Sequence, residues 1–501
     1  MPRSLGRASL VLFGSTWTHS ALGLLISVMI ARVLGPTAVG TLALNLGLAG
    51  LVMAALLPGF AQAHLKKLAE GQDAGRCVGA MLFIQGALTA ALVVAGLLAA
   101  RAGAIAAAPG GSAVFFAILG TQAAGRVADV FLKVFLAREW LVAHGAVLLA
   151  TRLVRLAVTV LVLAVAPSLP WIAATFLLEG VLSVLAAASV LAAAGVRPRA
   201  PSRALLADYW RYARPFLVTT PIALVQDSID RVLVGRWAGL TAAGYYHVAR
   251  GLWEVLSSVM VPPGMLMFTR LSSLYATRTD IGDRASRETF FHGLDRLLFV
   301  STPLALTFWA LAPVGLEVLY GPAFLPATTS ARILVLTAFA MNVINPYGYL
   351  FLALNETARL IPINAARFVA YLVVLALLVP PGGGWLPREA AGAALARLFV
   401  VVFLSPIYFR QTRAIAGIGF YRPALAYALS LGVGLVVFHA TEALLRMALP
   451  AAPFIEVPSA AVAIAGYLAC LDQFHASTRA HVLRTAALFS PRQMREFLRG
   501  G

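Results

Sequence analysis

Two stretches, Arg32-Val-Leu-Gly-Pro-Thr-Ala-Val-Gly40 and Arg236-Trp-Ala-Gly-Leu-Thr-Ala-Ala-Gly244, nearly repeat each other, and each joins two long apolar runs. Arg, Gly, Thr, Ala and the final Gly agree at matched positions. The register extends to Pro58 with Pro262, Lys66 with Arg270 and Arg7 with Arg211. Such a chain carries a duplicated half. Two equivalent hydrophobic bundles that rock about a shared centre are the expected result, an arrangement suited to carriers.

The apolar runs identify the solvent. Only 12% of the 501 residues are charged and 60% are hydrophobic, where a soluble surface needs about a quarter charged. Fourteen runs, 8–30, 38–60, 77–99, 113–136, 141–165, 171–194, 213–236, 242–266, 293–314, 327–353, 359–380, 389–409, 421–445 and 454–472, approach the length that crosses a hydrocarbon core of ~30 Å. Strand alternation is absent and backbone polar groups must be satisfied within each run, so the expectation is an all-α integral membrane protein. The first run is too long for a cleaved leader and lacks a small-residue cleavage site, so it reads as a membrane anchor.

The formal charge of +19 does not point to nucleic acid, because its distribution follows the runs. Basic residues gather in alternate loops: Lys66, Lys67 and Arg76; Lys133 and Arg138; Arg197, Arg199, Arg203, Arg211 and Arg214; Arg270, Arg278, Arg284 and Arg287; Arg410, Arg413 and Arg422; and the tail from Arg479 to Arg499. This bias places those loops and both termini in the cytoplasm. Cys77 and Cys470 have no disulfide or metal-ligand spacing, and no nucleotide-binding loop or cofactor motif is present.

The halves divide at about residue 200. Residues 1–200 hold six runs, 201–420 hold six more, 421–473 add two without counterpart, and 474–501 form a basic tail. A second echo pairs Phe135-Leu-Ala137 with Phe351-Leu-Ala353 and brings Arg152 close to the register of Arg367. An even number of crossings per half makes the repeats parallel, with the pseudo-two-fold axis along the membrane normal. The connector Arg197–Arg214 suits either a helix at the membrane surface or a plain linker with a snorkelling Trp210.

Charges inside the runs carry the chemistry, since each costs several kcal/mol unless it meets a partner or water. They are Arg126 and Asp129 with Lys133; Arg152 and Arg155; Glu179; Asp227, Asp230 and Arg231; Arg250 and Glu254; Arg367; and Arg397. Arg250 with Glu254, and Arg126 with Asp129, are equally readable as self-neutralising pairs. Arg152 and Arg155 share a helix face and repel unless an anion or carboxylates compensate them. Among these named residues seven arginines stand against five acids, which makes an interior chamber net positive. Guanidinium forks in such a chamber favour phosphate. A lipid-linked sugar diphosphate meets that demand, whereas organic cations require an acidic, aromatic one.

In Arg32-Val-Leu-Gly-Pro36 with Gly40, and in Asp230-Arg-Val-Leu-Val-Gly235 followed by Gly244-Tyr-Tyr-His-Val-Ala249, the chain resembles the O-antigen-type polysaccharide flippases of the multidrug/oligosaccharidyl-lipid/polysaccharide superfamily. The resemblance covers roughly the first 420 residues. It implies two six-helix bundles in the bacterial inner membrane that translocate an undecaprenyl-diphosphate-linked oligosaccharide outward. Membrane lipids and polysaccharide polymerases are the implied partners, and an ion or potential gradient the implied drive. Cargo contact then falls on Arg126, Arg152, Arg155, Arg231, Arg250, Arg367 and Arg397, and ion coupling on Asp227, Asp230, Glu254 and Asp129. Asp227 and Asp230 align with Gly23 and Ile26, so coupling by carboxylate would be confined to the second half. Lipid II flippases of the superfamily share the two extra crossings, which there help form a lipid groove. A cation-coupled exporter of drugs or metabolites is the alternative. A glycan polymerase or ligase needs a large external loop and an acid/base pair, and the chain offers neither clearly.

Overall fold

The computed structural model describes residues 2–56, 60–101, 111–214, 216–257, 284–354, 356, 359–380, 388–449 and 454–474, and every regular element among them is helical. All fourteen apolar runs fall on helices so far as they are described. Pro58, Pro262, Arg270, Arg278, the loop 381–387 and the tail beyond 474 lie outside the described residues. Eight described helices are long and apolar enough to cross a membrane.

Contacts divide the chain into Met1–Gly244 and Tyr245–Gly500. The first unit contains α1 (Pro2–Leu56), α2 (Phe60–Ala69), α3 (Ala74–Arg101), α4 (Ser112–Ala137), α5 (Leu141–Val165), α6 (Leu169–Ala193), α7 (Arg203–Ala213) and α8 (Phe216–Trp237). α1 merges the first two runs across a break at Gly35, whose φ of 75° is left-handed and open to glycine. Pro36 follows, where a missing N–H is tolerated at a new helix start.

α5 shows why this bundle belongs in lipid. Its buried positions are Gly145, Val147, Thr151, Arg155 and Thr159, a small and polar stripe of roughly helical period. Leu153, Val154, Val160, Leu161 and Val165 are exposed. This is the inverse of a soluble amphipathic helix, with polar groups inward and apolar groups outward. α4 and α6 pack closely through small residues, since a Cβ on Gly180 would lie 3.0 Å from that of Ala124.

The two repeated loops meet. A Cβ on Gly40 would fall 1.6 Å from the Leu240 carbonyl oxygen, and one on Gly244 would fall 2.0 Å from that of Pro36. Thr37 Oγ1 lies 2.9 Å from Thr241 Oγ1. Matched residues of the duplication thus approach one another reciprocally, the signature of a two-fold relation at this point. α8 packs along α1 beyond the loop, with Gly47 and Gly50 facing Val232 and Ser228.

The basic loops of this unit converge on a single apolar cluster that includes Phe60, Leu68, Cys77, Phe135, Leu191, Leu205 and Tyr209. Of the two readings of the connector, the structure takes the helix, α7. Ser202 caps it by accepting the Leu205 N–H at 3.2 Å, and Trp210 on its face is exposed. Asp73 accepts the Arg76 N–H at 3.1 Å and pairs with Arg199 at 2.8 Å. The Arg76 amide, with the Arg199 guanidinium, holds the Asp73 carboxyl below its usual range.

His64 on α2 is fully buried, between the Tyr209 hydroxyl at 2.7 Å and the Val130 carbonyl at 3.0 Å. Burial pushes its pKa down to about 4. The folded state therefore holds it neutral, and its contribution is complete above the unfolded value of 6.5 and is lost as pH falls toward 4. Full protonation of the unfolded chain would cost about 3 kcal/mol. Thermal unfolding of the purified protein is expected to show a larger drop between about pH 7.5 and 4.5 than His64→Gln shows, and equal drops would remove this histidine from the acid response.

The second unit contains α9 (240–257, with residues 245–257 in this unit), α10 (Arg284–Ala310), α11 (Ala312–Tyr320), a 3-10 turn over Pro322–Ala327, α12 (Thr328–Ala353), α13 (Leu360–Leu378), α14 (Glu389–Ala416), α15 (Pro423–Ala448) and α16 (Glu456–Phe474). α10 and α11 bend by 62° around Leu311. The last two helices pack against α10 and are tied to it at both ends. Asp295 of α10, nearly fully buried, accepts hydroxyls from Tyr421 and Tyr427 at 2.9 Å each. At the other end, Arg332 lies over Trp309 at 4.3 Å, Trp309 meets Phe438 edge-on, and Arg446 joins Glu442 to Glu456.

Candidate functional site

The helical period places Arg152 and Arg155 on one side of α5, where α6 and α1 both pack against it. Glu179 of α6 stands between them. Its Oε2 accepts Arg155 Nη1 at 2.8 Å, and its Oε1 lies 3.0 Å from Arg152 Nε. Arg155 is 5% exposed and its guanidinium covers the Phe176 ring at 3.5 Å. Arg152 Nη2 donates to His19 Nε2 at 2.5 Å, which leaves His19 Nδ1 to donate to the Leu148 carbonyl at 3.2 Å. Arginine has no acceptor, so this contact fixes the neutral His19 tautomer. Gly23 of α1 makes room for the guanidinium, since a Cβ there would touch Arg152 Nη1 at 3.4 Å.

Two cations share one carboxylate, so the cluster keeps one positive charge inside an apolar bundle. Arg155 Nε is buried with no hydrogen-bond acceptor among the described residues. Hydroxyls frame the site: Ser183 donates to Thr151 at 3.2 Å and Thr159 to Thr175 at 3.4 Å. A surplus guanidinium charge with an unused donor is an anion receptor in chemical terms.

The other predicted residues lie on α4 and α8 of the first unit and in the second unit. On α4, Asp129 pairs with Lys133 at 3.6 Å, and Arg126 has no carboxylate partner among the described residues. On α8, Asp227 is exposed and Asp230 is fully buried, its Oδ1 accepting the Arg231 backbone N–H at 2.8 Å. Both acids lie on the helix that packs along α1. In the second unit Arg250 Nε meets Glu254 at 2.8 Å. The Trp253 ring is flanked by Arg250 at 5.7 Å and Arg397 at 5.2 Å, and Arg397 also lies 5.7 Å from Tyr371. Arg367 donates to Tyr408 at 3.0 Å, which in turn donates to Asn364 at 2.8 Å.

Glu179 thus brings Arg152 and Arg155 together, and the Trp253 ring meets both Arg250 and Arg397. Reasoning from sequence did not single out His19, Asp295 or Arg332. Each meets its partner on another helix, His19 with Arg152, Asp295 with Tyr421 and Tyr427, and Arg332 with Trp309, and no local spacing in the sequence marks those pairings.

A family profile described as polysaccharide biosynthesis protein matches residues 28–329. No curated protein matches the chain. Among solved structures, the chain is similar to the lipid II flippase MurJ in an inward closed conformation, with 12% identity, 93% of this chain and 99% of that chain covered, and a TM-score of 0.74. It is also similar to an inward-facing multidrug resistance MATE family transporter, with 13% identity, 79% and 94% coverage and a TM-score of 0.61. A transporter of the same superfamily from Pyrococcus furiosus aligns at 11% identity, 82% and 94% coverage and a TM-score of 0.52. At these identities the likeness is one of fold.

Proposed function

The chain belongs to the polysaccharide biosynthesis protein family, within the superfamily of flippases and transporters whose fold it shares, and we propose that it translocates an undecaprenyl-diphosphate-linked oligosaccharide from the cytoplasmic to the outer leaflet of a bacterial inner membrane. The observation that supports this cargo is the Arg152–Glu179–Arg155 cluster, with two guanidinium groups on one carboxylate. A diphosphate carries the opposite charge and presents oxygens that match planar forks. The lipid tail stays in the bilayer while the headgroup crosses, and the repeated halves, 1–200 and 201–420, alternate the access.

Arg126, Arg231, Arg250, Arg367 and Arg397 serve as further contacts along the path. The buried Asp230, with Asp227 one turn away, is the place for ion coupling, and Asp129 and Glu254 are secondary to it. The basic loops and both termini face the cytoplasm. Polymerases of the glycan act on the delivered cargo, which the protein itself leaves chemically unchanged. Export of an organic cation would instead call for net negative charge.

The test reconstitutes the purified protein in phosphatidylcholine vesicles with a fluorescent undecaprenyl-diphosphate disaccharide. Exchange between leaflets is read by an impermeant quencher at several pH values. The expected result is accelerated exchange that depends on pH in the wild type and is flattened in Asp230→Asn. Absence of accelerated exchange, together with extrusion of a cationic dye, would overturn the assignment in favour of the exporter.

A further inference from the structure

The turn between α14 and α15 holds a second basic site. Phe409, Arg410, Arg413, Gly419, Phe420 and Arg422 line a cavity of about 470 Å³, within the range of small-ligand sites. Among the described residues none of the three guanidinium groups has a hydrogen-bond or carboxylate partner. Arg287 adds a fourth cation at the same turn, because a Cβ on Gly417 would lie 2.7 Å from its Nη2.

The walls are built rather than loose. Gly417 ends α14 in the left-handed region, and its N–H bonds the Arg413 carbonyl at 3.1 Å. Tyr347 donates to the Gly419 carbonyl at 3.2 Å and accepts the Tyr421 N–H at 3.0 Å. Tyr421 is itself fixed to Asp295, and the Phe409 ring sits 4.8 Å from Tyr347 and 4.9 Å from Phe420. The turn is thus shaped before anything binds.

Both helices continue from these arginines into exposed apolar stripes. On α14, Phe403 and Ile407 precede Arg410 at helical spacing, with Phe403 64% exposed. On α15, Leu425 and Leu429 follow Arg422 in the same way and are 56% and 58% exposed. Charge at the turn with apolar surface leading into the bilayer is the pattern of an amphiphile site.

We propose that this cavity binds the phosphate headgroup of an anionic membrane lipid, its chains lying along the Phe403–Ile407 and Leu425–Leu429 stripes. The site is separate from the α5–α6 cluster, and its test reads binding without transport, so it stands or falls independently of the cargo assignment.

The test uses full-length protein in maltoside micelles, with retention of dioleoyl phosphatidic acid or dioleoyl phosphatidylcholine read by native mass spectrometry. Wild type is expected to prefer phosphatidic acid. Arg410→Gln/Arg413→Gln/Arg422→Gln is expected to lose about tenfold in that retention, while the corresponding triple Lys variant keeps most of it. Inorganic phosphate at the same concentration should not displace the lipid. If the Gln variant is recovered unfolded, Leu425→Gln/Leu429→Gln is read instead and should likewise lose retention. Equal retention of the two lipids, equal retention by variant and wild type, or displacement by inorganic phosphate would overturn the proposal.

Discussion

Alanine at Gly40 or at Gly244 is expected to abolish recovery of a folded protein. A Cβ at these positions would sit 1.6 Å and 2.0 Å from carbonyl oxygens of the facing loop. Backbone oxygens cannot rotate away as a flexible side chain can. The loops must separate instead, which breaks the Thr37–Thr241 contact and lifts α8 from Gly47 and Gly50 on α1. Overpacking a well-filled core costs about 1–3 kcal/mol, and a clash with backbone lies at or above the upper end. Two controls separate this cause from generic glycine effects. Gly35→Ala meets no atom within 4 Å but requires φ 75° with ψ 178°, so it should cost about 1–3 kcal/mol through backbone strain alone. Gly125→Ala has open space and no such φ, and should stabilise by up to about 1 kcal/mol. Monodispersity and thermal unfolding of the detergent-purified variants read the order. A Gly40→Ala protein as stable as Gly125→Ala would show that the loops are not in the close approach described.

The same glycines show what a sequence exposes and what it withholds. Identity of Gly40 with Gly244 is visible as a repeat, and so are the helical runs and the break at Gly35-Pro36. That the matched loops touch each other is not visible, because nothing in one loop encodes the position of the other. The break near Leu311 was also hidden inside a single apolar run. Charges behave likewise. Asp129 was readable as a partner of Arg126, yet it meets Lys133 at 3.6 Å. The acid lies N-terminal to the base at i,i+4 in that pair, which is the better orientation on a helix. Arg250 and Glu254 are paired as the spacing allowed. Arg367 and Arg397 were legible only as buried cations, since the rings that receive them, Tyr408, Trp253 and Tyr371, come from other helices.

Removing charges from the α5–α6 cluster should separate transport from folding in opposite ways. Arg152→Ala leaves Arg155 and Glu179 as a neutral pair at 2.8 Å, so the bundle should remain folded. The surplus charge disappears, and leaflet exchange of the lipid-linked diphosphate is expected to fall by about ten- to a hundredfold, the worth of one charge-assisted hydrogen bond. Arg155→Ala should do the same through the remaining Arg152–Glu179 contact at 3.0 Å. Lys at either position restores charge without the fork and should recover part of the rate. Glu179→Gln reverses the logic. It leaves two guanidinium groups uncompensated within the bundle, and breaking a buried pair in this way costs about 3–5 kcal/mol. That variant should lose stability first, and adding Arg152→Ala to it should restore stability, because one like charge has been withdrawn. The comparison requires thermal unfolding and vesicle exchange on the same preparations. If Arg152→Ala exchanges cargo at the wild-type rate, the cluster does not contact the headgroup. If Glu179→Gln is as stable as the wild type, the two cations were never held by that carboxylate.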